Sequence, residues 1–204
     1  MLIRDIDEQS NSFHPWVWRK EVFSKQELDI ILDNYSDNGL YAAGLIKKDS
    51  QSDDIFIDSD IRSSDINIHS INENNRWIFE RLDQVIKWAN DNFYRFDLTG
   101  YSFFQFGVYD ADKGGHYGLH VDTYIGSNSL RNGMQRKLSL SILLNDDFEG
   151  GDFVVSLNGK KEDPIKMEAG MAVIFPSFIL HGVNKVTKGS RKSLVVWVHG
   201  PPFK

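Results

Sequence analysis

The chain of 204 residues is 41% hydrophobic and 13% aromatic, enough apolar material for one core of ordinary domain size, which excludes overall disorder. Its 29 acidic and 23 basic residues leave a formal charge of −6, so no general attraction to nucleic acid or to anionic membranes is expected. Cysteine is absent, which removes disulfides, thiolate ligands and thiol nucleophiles and leaves His, Asp and Glu to hold any metal.

The first ten residues, MLIRDIDEQS, carry charges where a secretory signal needs an apolar run, and no stretch has the uninterrupted apolar length of a membrane span. The expectation is a soluble, cytoplasmic protein. Ser24-Lys25-Gln26-Glu27 has the spacing of a capping box, and Leu28, Ile31, Leu32 and Tyr35 then share one face of the helix it begins. Residues 36–69 are rich in Ser, Asp, Asn and Gly with short apolar runs such as Ile55-Phe56-Ile57, and are expected as loops and edge strands. Ser70 and Glu73 repeat the capping-box spacing and predict a second helix through Ile78, Leu82, Val85, Ile86 and Ala89, ending near Asn92. From Tyr101 the period becomes that of strands, with β-rich segments at 101–109, 137–144, 152–157, 171–175 and 192–198. Two helices ahead of many short strands predict a mainly β fold with flanking helices (α+β), a sandwich or jelly roll buttressed on its outer face. The whole reads as one domain over 1–204, with helical support and loops to residue 100 and the β core over 101–199.

Tyr117-Gly118-Leu119-His120-Val121-Asp122 sets a His and an Asp two positions apart, so that in an extended chain both side chains leave the same face. His181 follows far along, in Phe178-Ile179-Leu180-His181-Gly182-Val183. Two His and one carboxylate form the facial triad of non-haem iron(II) oxygenases, which leaves three coordination positions open. A His-x-Asp pair alone is a weak signal, since such pairs are common by chance. It gains weight from His181 and from Arg191, ten positions later at the start of an apolar strand, where a guanidinium fork suits a carboxylate.

With these residues in order, the sequence over about 101–199 resembles the 2-oxoglutarate and iron(II)-dependent dioxygenases, and among them the prolyl 4-hydroxylase-like group of bacterial or phage type. Tyr109, Gly114 and Tyr117 stand before His120 and Asp122 as in that family, and Leu143 to Phe153, with Gly150-Gly151, resembles its acidic turn and double Gly. Gly170, the strand Ala172 to Pro176, His181 and Arg191 follow in the family's succession, and Arg191 lies six positions before Trp197, which favours it over Lys192. Collagen-type members carry Lys where this chain has Arg. The resemblance implies a double-stranded β-helix (jelly-roll) core with the site between its sheets. It further implies iron(II) on His120, Asp122 and His181, 2-oxoglutarate anchored by Arg191, and help from the Tyr109 phenol and the Ser193 hydroxyl. Ascorbate is then expected as a reductant. The implied reaction uses O2, releases succinate and carbon dioxide, and hydroxylates a prolyl or other residue of a protein or peptide. Rival readings are a hydroxylase of a free amino acid or small metabolite, a catalytically silent jelly-roll binding module, and a cupin-type metal enzyme without 2-oxoglutarate.

Among the neighbours, Tyr117 and Tyr124 flank the motif and are weighed as packing ahead of substrate contact, and His116 is expected on a turn after Gly114-Gly115. His14, His69 and His199 lack partners at ligand spacing. The polar stretch 123–136 reads equally as a lid or as a plain connection, and 36–69 is a second candidate cover.

Overall fold

Both halves of the first capping box form. Ser24 Oγ accepts from the Glu27 N–H at 3.3 Å, Glu27 Oε2 accepts from the Ser24 N–H at 2.8 Å, and helix α1 (Lys25–Tyr35) buries Leu28 and Ile31. The computed structural model describes residues 13–36, 39–46, 55–123, 133–157 and 163–203. Helix α2 (Arg76–Ala89) starts later than Ser70 and Glu73 imply. Ser70 is held in a strand opposite Phe103, so its backbone is not free to cap. An asparagine turn takes over: the Asn75 side chain accepts from Asn72 N–H and donates to Ser70 O, and Asn72 Oδ1 accepts from Asn74 and Asn75 N–H. A π-helical turn over Asn90–Tyr94 extends α2 past Asn92, and Arg95, with φ of 52°, ends it in the left-handed region.

Among the described residues twelve strands build the two larger sheets, and two further two-stranded pairs lie outside them. The twelve are β1 (Val17–Arg19), β2 (Tyr41–Ala42), β3 (Arg62–Ser63), β4 (Asp65–Ser70), β5 (Phe103–Asp110), β6 (His116–His120), β7 (Gln135–Leu143), β8 (Phe153–Ser156), β9 (Asp163–Ile165), β10 (Ala172–Pro176), β11 (Leu180–Val183) and β12 (Ser190–Gly200). A seven-stranded sheet runs β1-β10-β7-β12-β5-β4-β2 and a five-stranded sheet runs β9-β8-β11-β6-β3, with antiparallel pairing throughout. The five sequence-predicted strands all appear within about two residues of their expected ends, as does the two-sheet jelly-roll core. The 36–69 region does more than expected, because β4 is an internal strand, paired on both sides by β2 and β5.

Period-two alternation decides which residues face where. In β7, Leu138, Leu140 and Ile142 join Phe104, Phe106, Leu194 and Val196 in the core between the large sheet and the two helices. The opposite face of the large sheet meets the small sheet through a second core that includes Val173, Phe175, Phe153, Val155 and Val183. The cavity beside this second core is lined by polar side chains as well, among them His120, Asp122, His181, Arg191 and Ser193.

Candidate metal centre

His120 and His181 are cross-strand partners, the last residue of β6 and the second of β11, which accounts for the 4.3 Å between their ring centroids. The close approach of these strands requires Gly182, because a Cβ there would lie 2.8 Å from Tyr117 O. Asp122 joins them differently from the extended arrangement that the sequence suggests. The strand ends at His120, and the Asp122 N–H donates to Ser177 O at 2.9 Å, so a bend swings the carboxylate back over the histidines. Asp122 Oδ1 then lies 3.6 Å from His120 Nε2, and Oδ2 lies 3.5 Å from His181 Nε2. Two ligand atoms, each about 2.1 Å from one ion, sit roughly 3 Å apart at a right angle, so a small contraction closes this set on a metal. Among the described residues these three form the one cluster with that geometry, their ligand atoms within 4.8 Å of one another.

The protonation pattern suits ligation. His120 Nδ1 faces Gly118 O and His181 Nδ1 faces Ile179 O, each at 2.9 Å, and a carbonyl only accepts, so each Nδ1 carries the proton and each Nε2 presents a lone pair inward. Burial pushes the His181 imidazole down to about 4 against the pull of Asp122, which keeps it neutral and available. Burial alone would raise the Asp122 carboxyl, but the positive charge of the imidazoles when protonated, and of Arg136, outweighs it and holds the group well below the usual carboxylate range. His181 packs against Phe175 at 4.4 Å and Phe153 at 5.7 Å, while His120 stacks on Tyr117 at 3.6 Å. The His120 side chain is 20% exposed and that of His181 7%, so the centre opens on the His120 side.

A cavity of about 220 Å³ joins this cluster to the far anchor, and His120, Asp122, His181, Arg191, Tyr109 and Ser193 all line it. A larger groove of about 1270 Å³, between α1, α2 and the turn after β7, is lined by none of them. Arg191 is 1% exposed, stands opposite Tyr109 in register with its guanidinium carbon 5.6 Å from that ring, and leaves Nη2 buried without a hydrogen-bond partner. Burial lowers the guanidinium pKa, with Tyr109 and Asp152 opposing, but an arginine this basic stays charged. A buried guanidinium with an unpartnered Nη2 at the end of a small cavity is a site for an anion. Lys192 occupies the alternate position on the strand and does not line the cavity. The donor set suits non-haem iron(II), and the orphaned Nη2 suits the distal carboxylate of 2-oxoglutarate.

Sequence reasoning missed several residues here. Arg62 Cζ lies 4.5 Å from the Tyr117 ring that stacks on His120, and Arg136 Cζ lies 4.1 Å from the Trp197 ring; both arginines line the cavity. Ser139 donates to Asp122 Oδ2 at 2.7 Å. Its signal was visible as Lys137-Leu138-Ser139-Leu140-Ser141-Ile142, small polar residues at every second position of an otherwise apolar strand. His116 opens β6 rather than sitting on a turn, with its ring nitrogens near Gly114 O and Asp60 O. His69 packs between Tyr35 and Phe104, and His14 packs against Phe93; neither joins the cluster. Tyr124 and most of the 123–136 stretch lie outside the described residues.

Residues 104–199 match the family described as the 2OG-Fe(II) oxygenase superfamily. A PKHD-type hydroxylase of Psychrobacter sp. (strain PRwf-1) is 43% identical over 99 residues, which make up 46% of this chain and 36% of that protein. The chain therefore spans little more than a third of that relative's length. A Pseudomonas putida prolyl-4-hydroxylase superposes with a TM-score of 0.69 at 19% identity, covering 90% of this chain and 92% of that one. A Trichoplax adhaerens prolyl hydroxylase, in complex with a peptide fragment of the hypoxia inducible factor oxygen degradation domain, gives 0.70 at 17% identity, covering 90% and 83%. The family match falls on the stretch that holds His120, Asp122, His181 and Arg191, and the fold extends the likeness to nearly the whole chain: over residues 104–199 the protein is similar to the 2OG-Fe(II) oxygenase superfamily, and its fold is similar to that of the prolyl hydroxylases.

Proposed function

We propose that the protein is a 2-oxoglutarate-dependent iron(II) dioxygenase that hydroxylates a prolyl or other residue in a protein or peptide, with ascorbate as reductant. One observation carries the reading: the convergent His120, Asp122 and His181 share a cavity with the buried, unpaired Nη2 of Arg191. His120, Asp122 and His181 hold the metal, their Nδ1 hydrogen bonds fixing both rings in the ligating tautomer. Arg191 binds the distal carboxylate, with Tyr109 and Ser193 on the same wall. Iron(II) so held supplies oxygen activation coupled to decarboxylation of 2-oxoglutarate to succinate and carbon dioxide. Phe153 and Phe175 shield the His181 side from water, and substrate approaches from the His120 side, where Tyr117, Arg62 and Trp197 form the walls. The peptide held by the Trichoplax neighbour supports a peptide substrate over a small metabolite. We place the reaction in the cytoplasm; no helix among the described residues is long and apolar enough to cross a membrane.

The test is succinate formation from 2-oxoglutarate with iron(II) and ascorbate, by wild type and His120→Ala. Turnover in the wild type and none in the variant is expected; no metal-dependent turnover or 2-oxoglutarate binding under any condition refutes the enzyme. Mass spectrometry of proline-containing peptides and of free amino acids for one added oxygen then separates the two substrate classes.

A further inference from the structure

Asp122 Oδ2, the oxygen 3.5 Å from His181 Nε2, is also engaged by the fold, which leaves Oδ1 as the oxygen without a hydroxyl donor. Ser139 Oγ donates to Oδ2 at 2.7 Å and is itself 2.9 Å from Ser177 Oγ. An ionised carboxylate only accepts, so the Ser139 proton points to Asp122, and the proton between the two hydroxyls must come from Ser177. The chain Ser177→Ser139→Asp122 is thus directed toward the negative charge, and each bond strengthens the next. Both serines are fully buried, out of contact with bulk solvent. Their backbones are fixed as well: Ser139 lies mid-strand in β7, opposite Phe175 on one side and Trp197 on the other. Ser177 donates its N–H to Lys137 O and accepts from the N–H groups of Asp122 and Thr123. Ser177 therefore grips Asp122 twice, through its carbonyl on the main chain and through Ser139 on the side chain.

Resting on the metal-site reading above, we infer that Ser139, backed by Ser177, is a positioning residue that fixes the rotation of the Asp122 carboxylate and keeps it a one-oxygen ligand. The consequence is arithmetic. Two His and one carboxylate oxygen leave three of six positions open, enough for a two-point keto acid and for oxygen. A carboxylate free to turn and bind through both oxygens leaves two. The strand trades a β-branched side chain, which would fit a buried sheet, for a small donor beneath Asp122.

The experiment titrates Mn(II) into the metal-free protein, followed by electron paramagnetic resonance, and records the d–d absorption of the Co(II)-loaded protein. Ser139→Ala is expected to weaken Mn(II) binding by about 10- to 100-fold, the usual loss for an outer partner of a ligand, and to change the Co(II) spectrum. Ser139→Thr, which keeps the hydroxyl, is expected to restore both. Unchanged affinity and spectrum in Ser139→Ala overturn the inference, as does an equal loss in Ser139→Thr when its metal-free melting temperature matches wild type. If the extra methyl lowers that temperature, Ser177→Ala decides: a smaller loss of Mn(II) affinity supports the relay and no loss refutes it. A wild-type protein that binds neither ion sinks the metal centre itself, whereas tight wild-type binding that Ser139→Ala leaves intact sinks this inference alone.

Discussion

Arg191→Met tests the cosubstrate anchor without opening a large hole. In the free protein the guanidinium is 1% exposed and its Nη2 has no partner, so folding leaves part of a desolvated cation unpaired. Replacing such a group by an apolar side chain of similar volume is neutral or stabilising, so the metal-free melting temperature should hold or rise. With 2-oxoglutarate bound the sign reverses. Losing one partner of a buried, hydrogen-bonded charge pair costs about 2–5 kcal/mol, which corresponds to a rise of roughly 30-fold to a few thousand-fold in KM for 2-oxoglutarate. Mn(II) affinity should stay near wild type, because Arg191 is not among the clustered ligands. The assay is succinate release against 2-oxoglutarate concentration, with a parallel Mn(II) titration and thermal melts with and without cosubstrate. An unchanged KM refutes the anchor, and a Mn(II) loss as large as the KM change refutes the separation of roles. Lys192→Ala should do nothing; the loss appearing there would move the anchor to the neighbouring residue.

Gly151, at φ of 65°, would carry a Cβ 2.9 Å from Val186 Cγ2 and 3.1 Å from Arg191 Cδ, so Gly151→Ala should cost about 2–4 kcal/mol in denaturant unfolding and also raise KM for 2-oxoglutarate. An unfolding midpoint within error of wild type would contradict this. Ser24→Ala should lose about 1 kcal/mol through the α1 cap, read by urea titration. Glu27 is held below the ordinary glutamate value by the hydrogen bond from the Ser24 backbone, burial opposing and Arg81 assisting. Its contribution is therefore full above the unfolded pKa and lost as pH falls through the lower folded pKa. Glu27→Gln should accordingly be less stable than wild type at pH 7 by about 1 kcal/mol, the gap closing in acid; a constant gap would show that the charge is irrelevant.

Where local chemistry decides, the sequence was readable. The Ser24 capping box formed as spaced, and the strands of the second half kept their alternation because one face of each is buried against a core. The start of α2 was not, since two asparagines outcompete a serine already committed to a sheet. Strand β11 escaped notice because four residues broken by Gly182 carry too little pattern, yet its register with β6 is what brings His181 to His120. Asp122 was identified for a reason that only half holds: the spacing is right, but a bend tied to Ser177, and not an extended strand, turns it inward. Arg62, Arg136 and Ser139 matter through neighbours far away in sequence, which no local window contains.

The two ends of the cavity belong to different sheets, and that division separates the His-Asp-His cluster from the buried guanidinium. His120 and His181 stand on the small sheet, while Arg191, Tyr109 and Ser193 stand on the large one. The span from metal to anchor is thus set by the core between the sheets, where Phe153 and Phe175 meet at 5.6 Å. All of those residues fall within 104–199, the stretch that matches the family. The remaining wall does not. Leu45, Arg62, Ile66, Ile68 and Phe103 line the same cavity from outside that stretch, and Arg62 reaches His120 through the ring of Tyr117. The matched stretch therefore holds the proposed metal ligands and cosubstrate anchor, whereas part of the cavity wall is built by residues outside it. Under the proposed function, substitutions on β3, β4 and around Leu45 are the ones that should change substrate choice while sparing the metal cluster, because these residues line the cavity without belonging to that cluster.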